Sequence, residues 1–148
     1  QMTQTKDNLV DWSVFYNGVN NPERAERMIG VLSEGSEGHA LWPELDVNSE
    51  DIIVQKNRYS AFLPGSSDLP EILEFNGIDT VIITGTLTNV CTESSARDAM
   101  MRNFKTIVVS DANAAPTDEE HIASLASLFQ VFSDVYATNE LIEIIEKG

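Results

Sequence analysis

Three short runs rich in Ile and Val stand out along the chain: Ile52-Ile53-Val54, Thr80-Val81-Ile82-Ile83-Thr84 and Thr106-Ile107-Val108-Val109. Each is too short for a helix and lacks the strict alternation of a half-exposed strand, so each predicts a strand buried on both faces. Asp134 to Ala137 adds a fourth, weaker strand. Between and after these runs, apolar residues recur at helical spacing over Leu69 to Phe75, Cys91 to Met101, Glu119 to Phe132 and Asn139 to Ile145. Strand and helix therefore alternate. That order implies right-handed crossovers and a mostly parallel sheet with helices on both faces, a doubly wound, three-layered, Rossmann-like α/β fold.

The first fifty residues read differently. Pro22 to Leu32 has helical character, and Ser33-Glu34-Gly35-Ser36-Glu37-Gly38 follows as a turn-rich linker. There is no repeat and no low-complexity tract. A length of 148 residues with 42% hydrophobic content fits one domain over residues 1–148.

Charge narrows the partners. Lys and Arg number 9 against 24 Asp and Glu, and the net charge of −15 repels phosphate backbones and anionic lipid head groups. Nucleic acid and membrane surfaces are therefore not expected as partners, whereas a small anionic substrate stays open because a pocket can be locally basic. One cysteine cannot form an internal disulfide, and no apolar run reaches the roughly 18 residues of a membrane span. The opening Gln1-Met2-Thr3-Gln4 lacks the order of a signal peptide, and no initiator methionine stands first. A reducing, cytoplasmic setting is expected.

In a doubly wound sheet, ligands bind beyond the carboxyl ends of the strands. Three segments fall there: Lys56 after the first run, Gly85 to Cys91 after the second, and Ser110-Asp111-Ala112 after the third. Cys91 lies at the expected first turn of a helix, where unpaired backbone N–H groups and the positive end of the helix dipole favour a thiolate. The same N–H groups can hold a developing oxyanion. The alternative is a small buried hydrophobe at a helix start. Lys56 would place an ammonium at the same sheet edge, lowering the thiol pKa, unless it is an ordinary surface lysine.

Trp12, Phe15 and Tyr16 form an aromatic cluster that either packs or lines a pocket. His39 and His121 lie far apart with no carboxylate at metal spacing, so no metal is expected and both read as surface residues. Arg97 and Asp98 are expected in structural ion pairs. Gly85 lacks the spaced glycines of a dinucleotide loop, so no cofactor is expected.

Taken together, Lys56-Asn57-Arg58-Tyr59-Ser60-Ala61-Phe62, Gly77-Ile78-Asp79, the Thr84 to Asp98 segment with its Thr88-Asn89-Val90-Cys91, and Val109-Ser110-Asp111-Ala112 form a pattern. In order and spacing it resembles the cysteine hydrolases of the isochorismatase-like family, over about Leu41 to Asp134. The Arg58-Tyr59-Ser60 wording is nearest to the amide and ureido hydrolases, such as N-carbamoylsarcosine amidases and ureidoacrylate amidohydrolases. The resemblance implies that Cys91 attacks the carbonyl of a small amide or ureido substrate and forms an acyl- or carbamoyl-cysteine, with Lys56 as its charged partner. It also implies a cis peptide at Thr86-Leu87, an oxyanion hole from the N–H groups of Leu87 and Cys91, and substrate contacts from Tyr59, Phe62 and Trp12. The zinc arrangement of the nicotinamidase branch has no match in the sequence, and a homo-oligomer is expected. The isochorismatases proper replace the cysteine, so Cys91 argues against vinyl-ether hydrolysis.

One element of the family pattern is missing. The third catalytic residue is an aspartate at the end of a first strand, and Asp7 and Asp11 follow no apolar strand. Gln1-Met2-Thr3 resembles the end of the family's second strand. The fold is thus expected to lack its first strand in this chain, and a companion N-terminal segment is expected to carry the aspartate. The alternative is a catalytically incomplete fold acting as a binding or scaffolding protein.

Overall fold

Asn21 and Pro22 start the main helix of the N-terminal region: the Asn21 side chain accepts a hydrogen bond from Arg24 N at 2.8 Å, and Pro22 occupies a first-turn position. In the computed structural model, which describes residues 1–148, the chain divides into two compact units, Gln1–Arg58 and Tyr59–Gly148.

The first unit contains a single helical turn at Asn8–Asp11 (α1), a π-helical stretch at Val14–Val19 and the helix Pro22–Leu32 (α2). The strand expected at Ile52-Ile53-Val54 does not form. Its extended backbone is paired only at the far end, where Gln1 N donates to Val54 O (3.0 Å), Lys56 N to Gln1 O (2.8 Å) and Thr3 N to Lys56 O (2.8 Å). Met2 and Lys56 thus make an isolated parallel bridge. Ile52 and Ile53 precede this short ladder and are exposed.

The second unit runs through Leu69–Phe75 (α3), Thr80–Thr86 (β1), a π-helical turn at Thr88–Thr92, Glu93–Met101 (α4), Lys105–Ala114 (β2), Asp118–Val131 (α5), Asp134–Tyr136 (β3) and Thr138–Lys147 (α6). The strands form a parallel sheet in the order β1-β2-β3, with Ile83 opposite Val108 and Val109 opposite Tyr136. The alternating, parallel α/β pattern is the one the sequence predicts, with helix ends shifted by a residue or two as fraying terminal turns are.

Val108 and Val109 point to opposite faces of the central strand, and both are buried. Val108 packs with Ala96 of α4 and Leu128 of α5, and a second cluster joins Phe62, Ala99 and Phe104 to Leu69, Leu73 and Val81. β2 thus fits the two-sided burial expected of it, and β1 does not. β1 ends the sheet order, helices cover its Val81 and Ile83 side, and Ile82 on the other face stays 47% exposed.

Register breaks where the strands approach the candidate site. Ile83 pairs with Val108 but Gly85 pairs with Asn113, so residues 109–112 stand opposite Thr84 alone. β2 therefore continues to Ala114, and Ser110-Asp111-Ala112 lies inside the strand rather than after it. Asp111 has a local task there. Its Oδ1 accepts from Thr138 N (2.8 Å) and Thr138 Oγ1 (2.7 Å), capping α6 in place of Ala137, which has no side-chain acceptor. These two bonds hold the Asp111 carboxyl below its ordinary value.

Candidate active site

β1 delivers the chain to the nucleophile. Gly85, with φ of +121°, adopts a conformation that L side chains rarely take, the Thr86–Leu87 peptide is cis, and the Thr88–Thr92 turn then carries Cys91 directly into α4. Cys91 is partly exposed, while Thr88 and Thr92 on either side are buried. Leu87 immediately precedes this turn, so the two residues expected to form the oxyanion hole share one short segment.

Both buried threonines are held by other elements. Thr92 Oγ1 donates to Asn113 Oδ1 at 2.8 Å, and Asn113 Nδ2 donates to Ile83 O (3.0 Å) and Val109 O (2.6 Å). The Asn113 amide therefore fills the gap that the register shift opens in the β1–β2 ladder. Thr88 Oγ1 shares a 2.8 Å hydrogen bond with His121 Nδ1 in the first turns of α5. Nearby, Ser124 Oγ donates to Glu93 Oε2 at 2.6 Å and lies 3.2 Å from the Thr88 carbonyl oxygen.

Glu93 links this cluster to Arg97, whose Nη2 is 2.6 Å from Glu93 Oε1 and also donates to Ser127 Oγ at 2.7 Å. The Arg97 guanidinium sits 4.1 Å from the centroid of the Phe132 ring. The structural ion pair expected for Arg97 is made with Glu93; Asp98 is not part of this network.

Tyr59 is half-buried at the start of the same unit. Phe62 is a core residue, 3% exposed and 5.5 Å from Phe104 between ring centroids. It packs against Ala99 and Phe104 and also forms part of the wall of a groove along β1. The groove, of about 440 Å³, is further lined by Leu69, Leu73, Ile78 and Val81 among others; Cys91 is not part of its wall.

Lys56 and Trp12 belong to the N-terminal unit. Lys56 is half-buried and its Nζ donates to Arg58 O at 2.8 Å. Arg58 bonds Asn57 O (3.0 Å) and Asp11 O (3.1 Å), with the Asp11 carboxylate at 3.6 Å and the Trp12 ring centroid at 5.0 Å. Trp12 stacks on Phe15 at 4.4 Å and meets Tyr16 edge-on, and the buried Tyr16 hydroxyl donates to Gln4 Oε1 at 2.7 Å. Gln4 Nε2 in turn donates to Asn57 O at 3.1 Å. The aromatic cluster thus braces the backbone that follows Lys56.

Neither histidine is the surface residue expected. His39 is buried, with Nε2 2.8 Å from Thr3 Oγ1 and further contacts to the Gln1 amide. His121 is partly buried against Thr88. Asn113, Ser124 and Glu93, which also hold the Thr88–Thr92 segment, are not singled out by any sequence motif. The available signal was polar side chains at positions where an apolar strand or helix pattern expects burial.

The sequence matches the family model described as Isochorismatase domain over residues 3–140, across both units. The chain belongs to the isochorismatase family. Among relatives of this family, it is 37% identical to the ureidoacrylate amidohydrolase RutB of Methylobacterium radiotolerans, covering 79% of this chain and 45% of that protein. It is 36% identical to nicotinamidase 3 of Arabidopsis thaliana, covering 66% of this chain and 50% of the relative. The solved cysteine hydrolase of Pseudomonas syringae pv. phaseolicola superposes with a TM-score of 0.83 at 29% identity, over 99% of this chain and 70% of the other. The chain spans about half the length of the curated relatives it matches. No helix is long and apolar enough to cross a membrane.

Proposed function

We propose that this isochorismatase-family chain provides the nucleophile of a hydrolase that cleaves a non-peptide amide or ureido C–N bond in a small molecule. The observation that carries the reading is the position of Cys91, on a short turn between the end of a parallel strand and the following helix. Relatives named ureidoacrylate amidohydrolase and nicotinamidase support the bond type, and the structural neighbour named cysteine hydrolase supports the nucleophile.

In this reading the Cys91 thiolate attacks the carbonyl carbon, the C–N bond breaks, and water releases the acyl or carbamoyl group from sulfur. The N–H groups of Leu87 and Cys91 stabilise the oxyanion. Lys56 is the charged partner that favours thiolate, and Tyr59 and Trp12 contact the substrate. The proton taken from the thiol and returned to the leaving amine requires a general base. No aspartate here ends an apolar strand as the family pattern requires, so the base is assigned to polypeptide beyond these residues.

The test is ammonia release from a panel of small amides and ureido acids, nicotinamide and ureidoacrylate included, by the complete protein and by its Cys91→Ala variant. Release from at least one compound, lost in the variant, is the expected result. Release that survives Cys91→Ala, or none from any compound, contradicts the proposal.

A further inference from the structure

The turn that carries Cys91 is gripped at both ends by side chains distant in sequence. Thr88 is 0% and Thr92 3% exposed, and neither hydroxyl turns back onto its own helix as a lone buried threonine commonly does. Thr88 reaches His121 on α5, 33 residues away, and Thr92 reaches Asn113 on β2, 21 residues away, each at 2.8 Å. Between these fixed points backbone bonds close the turn locally: Val90 N and Thr92 N both donate to Leu87 O, at 3.1 and 3.2 Å, and Glu93 N donates to Thr88 O. A single π-helical turn is an uncommon geometry that frequently marks functional sites.

We propose that His121 and Asn113 are positioning residues, which fix the nucleophile turn through the Thr88 and Thr92 hydroxyls and so set the place and aim of Cys91. This rests on the assignment of Cys91 as nucleophile. The physical reason is leverage: small displacements of a reacting atom carry large rate penalties, and a turn pinned at both ends keeps its N–H groups aimed at the thiolate and oxyanion positions. Ser124 reinforces the His121 end, since it donates to Glu93 at the start of α4 and approaches the Thr88 carbonyl. Asn113 also repairs the sheet, so His121 is the cleaner place to test the idea.

The experiment compares wild type with His121→Ala, His121→Asn, Thr88→Val and Thr88→Ser in the complete protein. Asn can place a polar atom near the imidazole Nδ1 position, and Ser keeps the hydroxyl. Thr88→Val preserves side-chain volume and serves if His121→Ala does not fold. Two readings are taken: kcat and KM for ammonia release, and the second-order rate of Cys91 alkylation by iodoacetamide at pH 7. With one hydrogen bond lost, kcat in His121→Ala and Thr88→Val is expected to fall about ten-fold with KM within about two-fold, and alkylation to slow in parallel. His121→Asn and Thr88→Ser recover most of both rates.

Wild-type kcat and alkylation in His121→Ala and Thr88→Val overturn the proposal, as does a loss that Asn and Ser do not repair. If the wild-type protein releases no ammonia, the hydrolase reading fails by itself. The alkylation rates then still decide whether the two contacts position Cys91.

Discussion

Replacing Asn113 with Ala deletes three hydrogen bonds in one step: the partly buried one from Asn113 Nδ2 to Ile83 O, and the buried ones to Val109 O and from Thr92 Oγ1. Two carbonyls and a hydroxyl lose their partner where the β1–β2 ladder is interrupted. At about 1–3 kcal/mol for each orphaned buried group the sum spans roughly 3–9 kcal/mol. The lower end applies, because each carbonyl has a second lone pair and the gap left by the amide admits water. Asn113→Ala should therefore destabilise the fold by about 3–4 kcal/mol, a large share of the roughly 5–15 kcal/mol that holds an ordinary domain. Urea unfolding followed by far-UV circular dichroism measures it. Thr92→Val breaks only one of the three bonds and should cost about 1 kcal/mol. Its cost should shrink toward zero in the Asn113→Ala background, since the two residues share that bond. A loss below about 1 kcal/mol for Asn113→Ala, or full additivity of the pair, would refute the role given to this side chain.

Two further outcomes follow from single side chains. Phe62→Ala should cost about 3–5 kcal/mol in the same unfolding measurement, as deletion of a buried aromatic does; unchanged stability with a raised KM would contradict its place in the core and mark it as a substrate contact. Asp111→Ala should lower the melting temperature at neutral pH by uncapping α6. Because the folded-state pKa of Asp111 lies below its unfolded value, its contribution is present above about pH 4 and is lost as pH falls through the lower folded value. The difference between wild type and variant should accordingly disappear in acid, and a difference that persists there counts against the cap.

What the sequence revealed depended on how local the cause is. β2 and α5 are recognisable because Thr106 to Val109 is a continuous apolar run and Glu119 to Phe132 has helical spacing with its own start signal, the Thr117 side chain accepting from Glu120 N at 3.2 Å. Ile52 to Val54 carries an equally apolar pattern and still forms no strand, because strand formation needs a neighbour in register and only Gln1 to Thr3 lies alongside. Asp111 falls in a segment expected at the ligand-binding end of the sheet, yet its partner is Thr138, 27 residues later, a relation no local spacing reveals. His121 is the same case in reverse. In sequence it is a polar residue in the acidic opening of a helix, and only tertiary packing turns it toward Thr88.

Cys91 and Leu87 were legible because the glycine turn, the Thr-Asn-Val-Cys wording and the helix that follows are contiguous. Lys56 follows an apolar segment that forms no strand, and the contacts around it through Gln4, Tyr16 and Asn57 join residues more than ten apart and leave no periodic trace.

The most direct test of the central claim is peptide mass spectrometry on acid-quenched mixtures of the complete protein with a substrate found in the ammonia-release panel. The account predicts an acyl or carbamoyl mass increment on the peptide containing Cys91, formed during turnover and absent without substrate. Turnover with Cys91 unmodified at every quench time, and undiminished in Cys91→Ala, would contradict it.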